Sequence, residues 1–253
     1  MEKIIIAVFG LIWGSFLNVV IYRLPRGQSL VRPPSTCPRC GRRIRPYDNV
    51  PVISYLLLRG RCRDCAAGIS PIYPMVEVLT ALCFLILYGR FSWSLHFLTA
   101  CVFTGCLIAL GFIDYFHQIL PDEITLPGLA LALVYSAFRA DLGVRQALIG
   151  AVSGAGFLLV VYGVYYLLRK KEGLGMGDVT MMLFVGAYLG WRGSFFTLVL
   201  ASFAGALVGV FLILFRKRDM QYALPFGTFL APAAFIALVW GDAIVRAYFR
   251  LYS

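Results

Sequence analysis

The chain has 253 residues, of which 60% are hydrophobic and 14% charged, and its formal net charge is +11. A soluble domain of this size would have too little polar surface to cover so much apolar material, so the composition excludes an ordinary globular protein. We interpret the excess of basic residues as a determinant of membrane orientation and as a means of contact with anionic lipids. Nucleic-acid binding is disfavoured because the basic residues are not interleaved with aromatic ones.

Long apolar runs predict an all-α polytopic membrane protein of about eight transmembrane helices, since each span needs about 20 mostly apolar residues. A cleaved signal peptide is disfavoured for the first run because its basic residues follow the apolar stretch instead of preceding it. Long unbroken runs also disfavour an outer-membrane barrel, whose strands alternate. The predicted spans are 4–22, 72–88, 95–113, 124–138, 146–168, 179–189, 194–215 and 222–245, of which the fourth and sixth are short.

The distribution of Lys and Arg predicts the orientation, because cytoplasmic loops retain an excess of them. Ten arginines lie between Arg23 and Arg63. Two further basic groups, 169–171 and 216–218, also fall in loops that this orientation places inside, whereas the outer segments carry only single basic residues. The N-terminus is therefore predicted outside, with odd-numbered spans running inward.

The polar loop between the first two spans carries two C-x2-C pairs separated by 21 residues, the spacing of a four-thiolate zinc site. Disulfides are disfavoured in the cytoplasm, so we expect structural zinc, with unligated or redox-active thiols as the alternative. Three parts follow: a first transmembrane helix (1–22), a cytoplasmic zinc-binding loop domain (23–71) and a seven-helix transmembrane core (72–253). The expected metal ligands are Cys37, Cys40, Cys62 and Cys65.

Acidic residues near the predicted cytoplasmic ends are the candidates for chemistry, since ionisable groups at membrane depth are costly. Asp114 closes the third span, and Asp178 follows Gly175-Met176-Gly177. Two close carboxylates share a proton, so the pair can deprotonate a water and protonate a peptide carbonyl. The glycines beside Asp178 permit positive φ and close backbone approach to a bound peptide.

Two other acids are supporting candidates with structural alternatives. Asp122 follows Pro121 at the start of the fourth span, where an N-cap role is an equally good explanation. Glu77, at the start of the second span, is interpreted either as orienting a partner in the bundle or as a snorkelling or buried, hydrogen-bonded carboxylate.

The ordered set of motifs resembles the type IV prepilin peptidases, of the G-x-G-D aspartyl membrane protease family, along nearly the whole chain. The motifs that carry the resemblance are GSFLNVVIYRLP (14–25), the two cysteine pairs, NVPVISY (49–55), ISPIYPMVE (69–77), Asp114 ahead of LPD (120–122), GMGD (175–178) and PFG (225–227). One departure is Thr180, where members commonly carry Lys.

This resemblance implies an aspartic endopeptidase of the bacterial inner membrane, with Asp114 and Asp178 as its catalytic pair and the four cysteines at zinc positions. Its expected substrates are prepilins and pseudopilins, whose basic leader is cut after a glycine on the cytoplasmic side. Many members also methylate the new N-terminus with S-adenosylmethionine. The chain shows no glycine-rich cofactor loop after a strand, so that second activity rests on the resemblance alone.

Two alternatives from other classes are a transporter and a non-catalytic membrane scaffold with a structural zinc loop. A transporter should place its acids near the bilayer midplane and often shows internal repeats, and neither feature is visible. A scaffold would not need a pair of aspartates.

Overall fold

The computed structural model describes residues 1–170, 175–216 and 224–250. Within these residues the regular structure is helical, and β pairing is limited to two isolated bridges, Thr36 with Arg43 and Arg61 with Gly68. The α-helices are α1 (Glu2–Arg23), α2 (Ile53–Leu57), α3 (Ile72–Phe91), α4 (Leu95–His117), α5 (Asp122–Ser136), α6 (Gly143–Arg169), α7 (Met176–Arg216) and α8 (Gly227–Arg250).

The helices lie where the apolar runs predict them, and five helical segments are long and apolar enough to cross a membrane. The sixth and seventh predicted spans both fall in α7, whose helical conformation is interrupted at Gly190, where φ is 73° and ψ 177°. Only glycine adopts such angles without strain, and this break at Gly190 separates the two predicted spans. The count of eight spans stays a prediction. Residue 222, where the last span was expected to begin, and Lys171, Lys217 and Arg218 of the basic groups lie outside the described residues.

The chain divides within α4 into two compact units, Met1–Ala109 and Leu110–Ser253. In the first unit α1 packs directly on α3. A Cβ on Gly10 would lie 2.5 Å from the Cα of Ala81, and one on Gly14 would lie 2.6 Å from the Cα of Glu77. Two glycines four residues apart thus let the helix backbones touch, as small residues do between membrane helices.

Small residues also set the packing of the second unit. A Cβ on Gly150 of α6 would lie 2.3 Å from the carbonyl oxygen of Gly186 in α7, so these two helices meet at backbone distance. A Cβ on Gly111, near the end of α4, would lie 3.0 Å from the Cβ of Ala231 in α8. The close approach of α4 and α8 brings the end of one helix to the beginning of the other.

Candidate functional site

The two predicted catalytic aspartates belong to the same compact unit and are both buried. Asp114 lies in the last turn of α4 with 5% of its surface exposed, and Asp178 lies in the first turn of α7 with 6% exposed. Their side chains interact electrostatically with each other. The structure therefore brings together two acids that are 64 residues apart in the sequence.

Asp114 is held by the beginning of α8. Its Oδ2 accepts a 2.7 Å hydrogen bond from the backbone N–H of Thr228 and a 3.2 Å bond from the Thr228 hydroxyl. The first amides of a helix have no partner within the helix and carry partial positive charge, so a carboxylate is favoured there. Asp114 thus caps a helix that begins more than 100 residues later in the chain. The sequence reasoning did not identify Thr228, because nothing local connects it to Asp114.

Asp178 is held by its own glycine-rich turn. Its Oδ2 accepts a 3.3 Å bond from the Gly175 N–H, while the Asp178 N–H donates to the Gly175 carbonyl at 3.1 Å. This reciprocal pair resembles a capping box, in which a carboxylate in the first turn reaches back to a free amide. The N–H of Gly227 interacts with both Asp114 and Asp178. One helix N-terminus therefore serves both carboxylates.

The glycines around the aspartates supply space, not an unusual backbone conformation. Neither Gly175 nor Gly177 has positive φ, so the left-handed conformation that was expected to be permitted there is not used. Instead, a Cβ on Gly177 would lie 2.8 Å from the Cβ of Leu120. A Cβ on Gly227 would lie 3.0 Å from both Asp114 Oδ2 and the methyl carbons of Leu120. Leu120, which the sequence reasoning did not single out as a site residue, fills the space between these two glycines.

The other two acidic candidates have structural partners. Helix α5 begins at Asp122 itself, with Pro121 in the N-cap position and no capping bond from a side chain, so the N-cap interpretation of Asp122 is wrong by one residue. The Asp122 carboxylate accepts a 3.3 Å bond from the Thr125 hydroxyl. Glu77 belongs to the Met1–Ala109 unit, where it is buried and accepts the Val52 N–H at 2.8 Å. Glu77 therefore anchors the polar loop to α3.

The four cysteines of that loop form one cluster. The Sγ atoms of Cys37, Cys40, Cys62 and Cys65 all lie within 4.8 Å of one another, and those of Cys37 and Cys65 are 3.8 Å apart. Four sulfurs bound at about 2.3 Å to a tetrahedral zinc ion lie about 3.8 Å from each other. The donor set and its spacing therefore fit a single zinc ion, with no position left for water or substrate.

The two cysteine pairs sit on matching turns. The Cys37 N–H bonds the Arg42 carbonyl at 2.9 Å, and the Cys62 N–H bonds the Ala67 carbonyl at 2.8 Å. The fourth residue after the first cysteine of each pair has positive φ, namely Gly41 at 70° and Ala66 at 56°. Two copies of one turn thus present their sulfurs to a common point.

Two peptide N–H groups of the loop favour the thiolate form of Cys37. Amides of Cys40 and Arg39 that face the Cys37 sulfur lower the pKa of that thiol to about 7. The Ala67 amide acts to lower the pKa of Cys65, but desolvation and hydrogen bonds with the other thiols raise it to about 11. A thiol whose pKa lies near neutrality supplies the thiolate form that a metal ion requires.

A cavity of about 950 Å³ lies in the Met1–Ala109 unit, between the loop and the adjoining ends of α1 and α3. The residues that line it include Tyr22, Tyr73, Glu77 and several arginines of the loop. Cavities of about 300–1,000 Å³ with a few convergent polar groups are the usual sites of small molecules.

Comparison with known proteins identifies both parts of the chain. Residues 8–91 match the Bacterial Peptidase A24 N-terminal domain, and residues 101–210 match the Type IV leader peptidase family. A prepilin leader peptidase/N-methyltransferase of Pseudomonas putida is 42% identical over 96% of this chain and 92% of its own length. Proteins of the same name from Pseudomonas aeruginosa and Aeromonas salmonicida are each 39% identical, over 95% and 96% of this chain and 91% and 92% of their own lengths.

No solved structure gives a significant match. The relatives and the apolar helices together indicate a multi-pass protein of the inner membrane. With one family model on each part of the chain and relatives that cover nearly all of it, this chain belongs to the type IV leader peptidase family.

Proposed function

We propose that this chain is an aspartic endopeptidase that removes the basic leader of type IV prepilins or pseudopilins at the cytoplasmic face of the membrane, with Asp114 and Asp178 as the catalytic pair. The observation that carries the proposal is the convergence of these two buried carboxylates on one helix N-terminus. The names of the relatives supply the substrate class.

The chemistry requires one proton shared between the two carboxylates, because two such groups close together do not both ionise. The ionised partner takes a proton from a water molecule, whose oxygen attacks the scissile carbonyl carbon while the protonated partner donates its proton to the carbonyl oxygen. Collapse of the tetrahedral intermediate breaks the C–N bond as the protonated aspartate donates its proton to the leaving nitrogen and the ionised aspartate takes a proton from a hydroxyl of the intermediate. The pair returns to one shared proton, so atoms and charge balance.

The position of the pair suits a substrate that is itself a membrane helix. Asp114 ends α4 and Asp178 begins α7, so the pair lies at helix ends and not in the middle of a span. The distribution of Lys and Arg along the sequence supports a cytoplasmic position for these ends. A pilin helix can then remain in the membrane while its leader reaches the aspartates.

For the cysteine cluster we propose structural zinc. Cys37, Cys40, Cys62 and Cys65 would hold the ion as four thiolates and close a loop with little apolar core of its own. The ion has no part in the cleavage step.

For the methyltransferase activity in the relatives' names, we propose S-adenosylmethionine as the methyl donor. The cavity beside the loop has the size and mixed polarity that such a molecule needs, with acidic, aromatic and arginine residues lining it. The donor would supply a methyl group to the amine of the cleaved pilin, which must first lose a proton. Incubation of the purified protein with cleaved pilin and S-adenosylmethionine labelled in its methyl group tests this activity. If the pilin acquires no label, the proposed activity is contradicted.

The peptidase is tested by cleavage of a purified prepilin by the full-length protein and by the Asp114→Asn and Asp178→Asn variants. Each substitution keeps the side-chain volume but replaces a carboxyl group that shares the proton with an amide, so we expect kcat to fall by at least about 10³-fold. Asp122→Asn is the matched control, because within the described residues the Asp122 carboxylate bonds the Thr125 hydroxyl and neither catalytic aspartate. This variant should retain nearly full activity. Undiminished cleavage by either dyad variant contradicts the assignment. No cleavage by the wild type would favour a membrane scaffold or a transporter instead.

A further inference from the structure

The geometry points to Thr228 as the positioning residue of the aspartate pair: it fixes Oδ2 of Asp114, so that proton exchange during cleavage runs through Oδ1. This inference rests on the proposed function. It goes beyond that function by assigning different tasks to the two oxygens of one catalytic carboxylate.

The first step of the argument is the number of donors on one atom. Both the N–H and the hydroxyl of Thr228 point to Asp114 Oδ2, at 2.7 and 3.2 Å. An oxygen that already accepts two hydrogen bonds would have to lose one of them to accept a proton. A proton that Asp114 accepts or donates during cleavage is therefore carried by the other oxygen, Oδ1.

The second step concerns the hydroxyl, which has a choice of acceptor. The Thr228 Oγ1 lies 3.2 Å from Asp114 Oδ2 and 3.4 Å from the carbonyl oxygen of Gly111, one turn earlier in α4. A charged acceptor gives the stronger bond, so the hydroxyl donates to the carboxylate when Asp114 is ionised. When Oδ1 carries the proton, Oδ2 is the carbonyl oxygen of the carboxyl group and still accepts the Thr228 N–H, while the Gly111 carbonyl is a second acceptor within reach of the hydroxyl. The Thr228 hydroxyl therefore has an acceptor in both protonation states of Asp114.

The third step separates positioning from simple attachment of the helix. Helix α8 also contacts α4 one turn further on, where Ala231 packs against Gly111. The backbone N–H of Thr228 bonds Asp114 whatever the side chain is. Loss of the hydroxyl alone therefore leaves α8 in place and removes one of the two donors on Oδ2. The side chain acts on the carboxylate more than on the fold.

Steady-state cleavage of a purified prepilin by the full-length enzyme tests the inference with Thr228→Val and Thr228→Ser. Valine keeps the branched shape and loses the donor, so we expect kcat to fall roughly ten- to hundredfold with KM within about twofold of the wild type. Serine keeps the donor and should restore kcat to within about threefold. Thr197→Val is the matched control, because that buried hydroxyl bonds the Gly193 carbonyl within its own helix, and its kcat should not change.

The inference is overturned if Thr228→Val has wild-type kcat, if it changes KM instead, or if serine is as impaired as valine. Should Thr228→Val not fold, as judged by thermal unfolding in detergent, the Thr228→Ala and Thr228→Ser pair gives the same comparison. Asp114→Asn is measured in parallel. If that variant cleaves normally, the proposed function itself fails; if it is inactive while Thr228→Val is normal, only the role of Thr228 is wrong.

Discussion

Gly177 and Leu120 are packed with no room for a methyl group between them: a Cβ on Gly177 would lie 2.8 Å from the Cβ of Leu120. The close contact is with the first atom of the leucine side chain, so a change of rotamer cannot relieve it. Leu120 also packs against Gly227, whose N–H interacts with both aspartates. The segment between α4 and α5 therefore holds the beginnings of α7 and α8 in register.

We expect Gly177→Ala to lower kcat/KM for prepilin cleavage by about tenfold or more, because overpacking of about 1–3 kcal/mol would displace Leu120 and the helix end that carries Asp114. Gly175→Ala is the matched control. Its Cβ would meet nothing closer than Asp178 Oδ2 at 3.4 Å, an ordinary contact, so cleavage should fall only a few fold. Equal loss in the two variants would show that spacing from Leu120 is not the reason for glycine at position 177.

The contact between α1 and α3 gives a prediction about stability. Gly14→Ala would place a Cβ 2.6 Å from the Cα of Glu77, a backbone atom that moves only with its helix. We expect a loss of roughly 1–3 kcal/mol, measured as a lower thermal unfolding midpoint in detergent. Gly89→Ala, in the last turn of α3, meets no atom within 4 Å and should leave the midpoint unchanged or raise it slightly. A Gly14→Ala midpoint equal to that of the control contradicts direct backbone packing.

The sequence predicts the helices well because hydrophobic length is a local property. Each predicted span overlaps an α-helix of the described residues, although the number that cross the membrane stays a prediction. The interruption predicted between residues 189 and 194 falls at Gly190, where the backbone leaves the helical conformation. The sequence also singles out the acidic residues and the cysteines as candidates. An acidic residue next to a long apolar run and a repeated C-x2-C pair are both conspicuous in an apolar chain.

What the sequence does not predict is how the aspartates are held. Thr228 bonds Asp114 across 114 positions, and no periodicity or spacing connects them. For the glycines, the sequence reasoning named positive φ and close approach to a bound peptide. The structure instead shows close approach to Leu120 with ordinary dihedrals. Both cases depend on contacts between distant helices, whereas propensity and motif describe only neighbours in the chain.

Removal of one ligand tests the cysteine cluster. We expect purified wild-type protein to contain about one zinc ion per chain and Cys62→Ser to contain almost none, since three thiolates bind the ion far more weakly than four. Elemental analysis of protein purified without added metal measures this. Cys83→Ser is the control, because that thiol is buried within α3 and should not affect the metal content. Wild-type protein without zinc would contradict the metal site.

The two matching turns around the cysteines allow a finer test, because one has glycine and the other alanine at the positive-φ position. Gly41 has φ of 70° and no atom within 4 Å of a Cβ placed on it, so Gly41→Ala meets only conformational strain. That strain is about 1–2 kcal/mol, so we expect zinc release to a chelator to become about tenfold faster. Gly68→Ala, equally open but without positive φ, should release zinc at the wild-type rate.

The second turn should respond in the opposite direction. Ala66 already has φ of 56°, so Ala66→Gly relieves strain and should slow zinc release, although the greater freedom of glycine in the unfolded loop offsets part of the gain. Opposite changes from Gly41→Ala and Ala66→Gly would mean that both turns must keep their left-handed residue while zinc is bound. If alanine and glycine are interchangeable at both positions, the turns are not what holds the four sulfurs together.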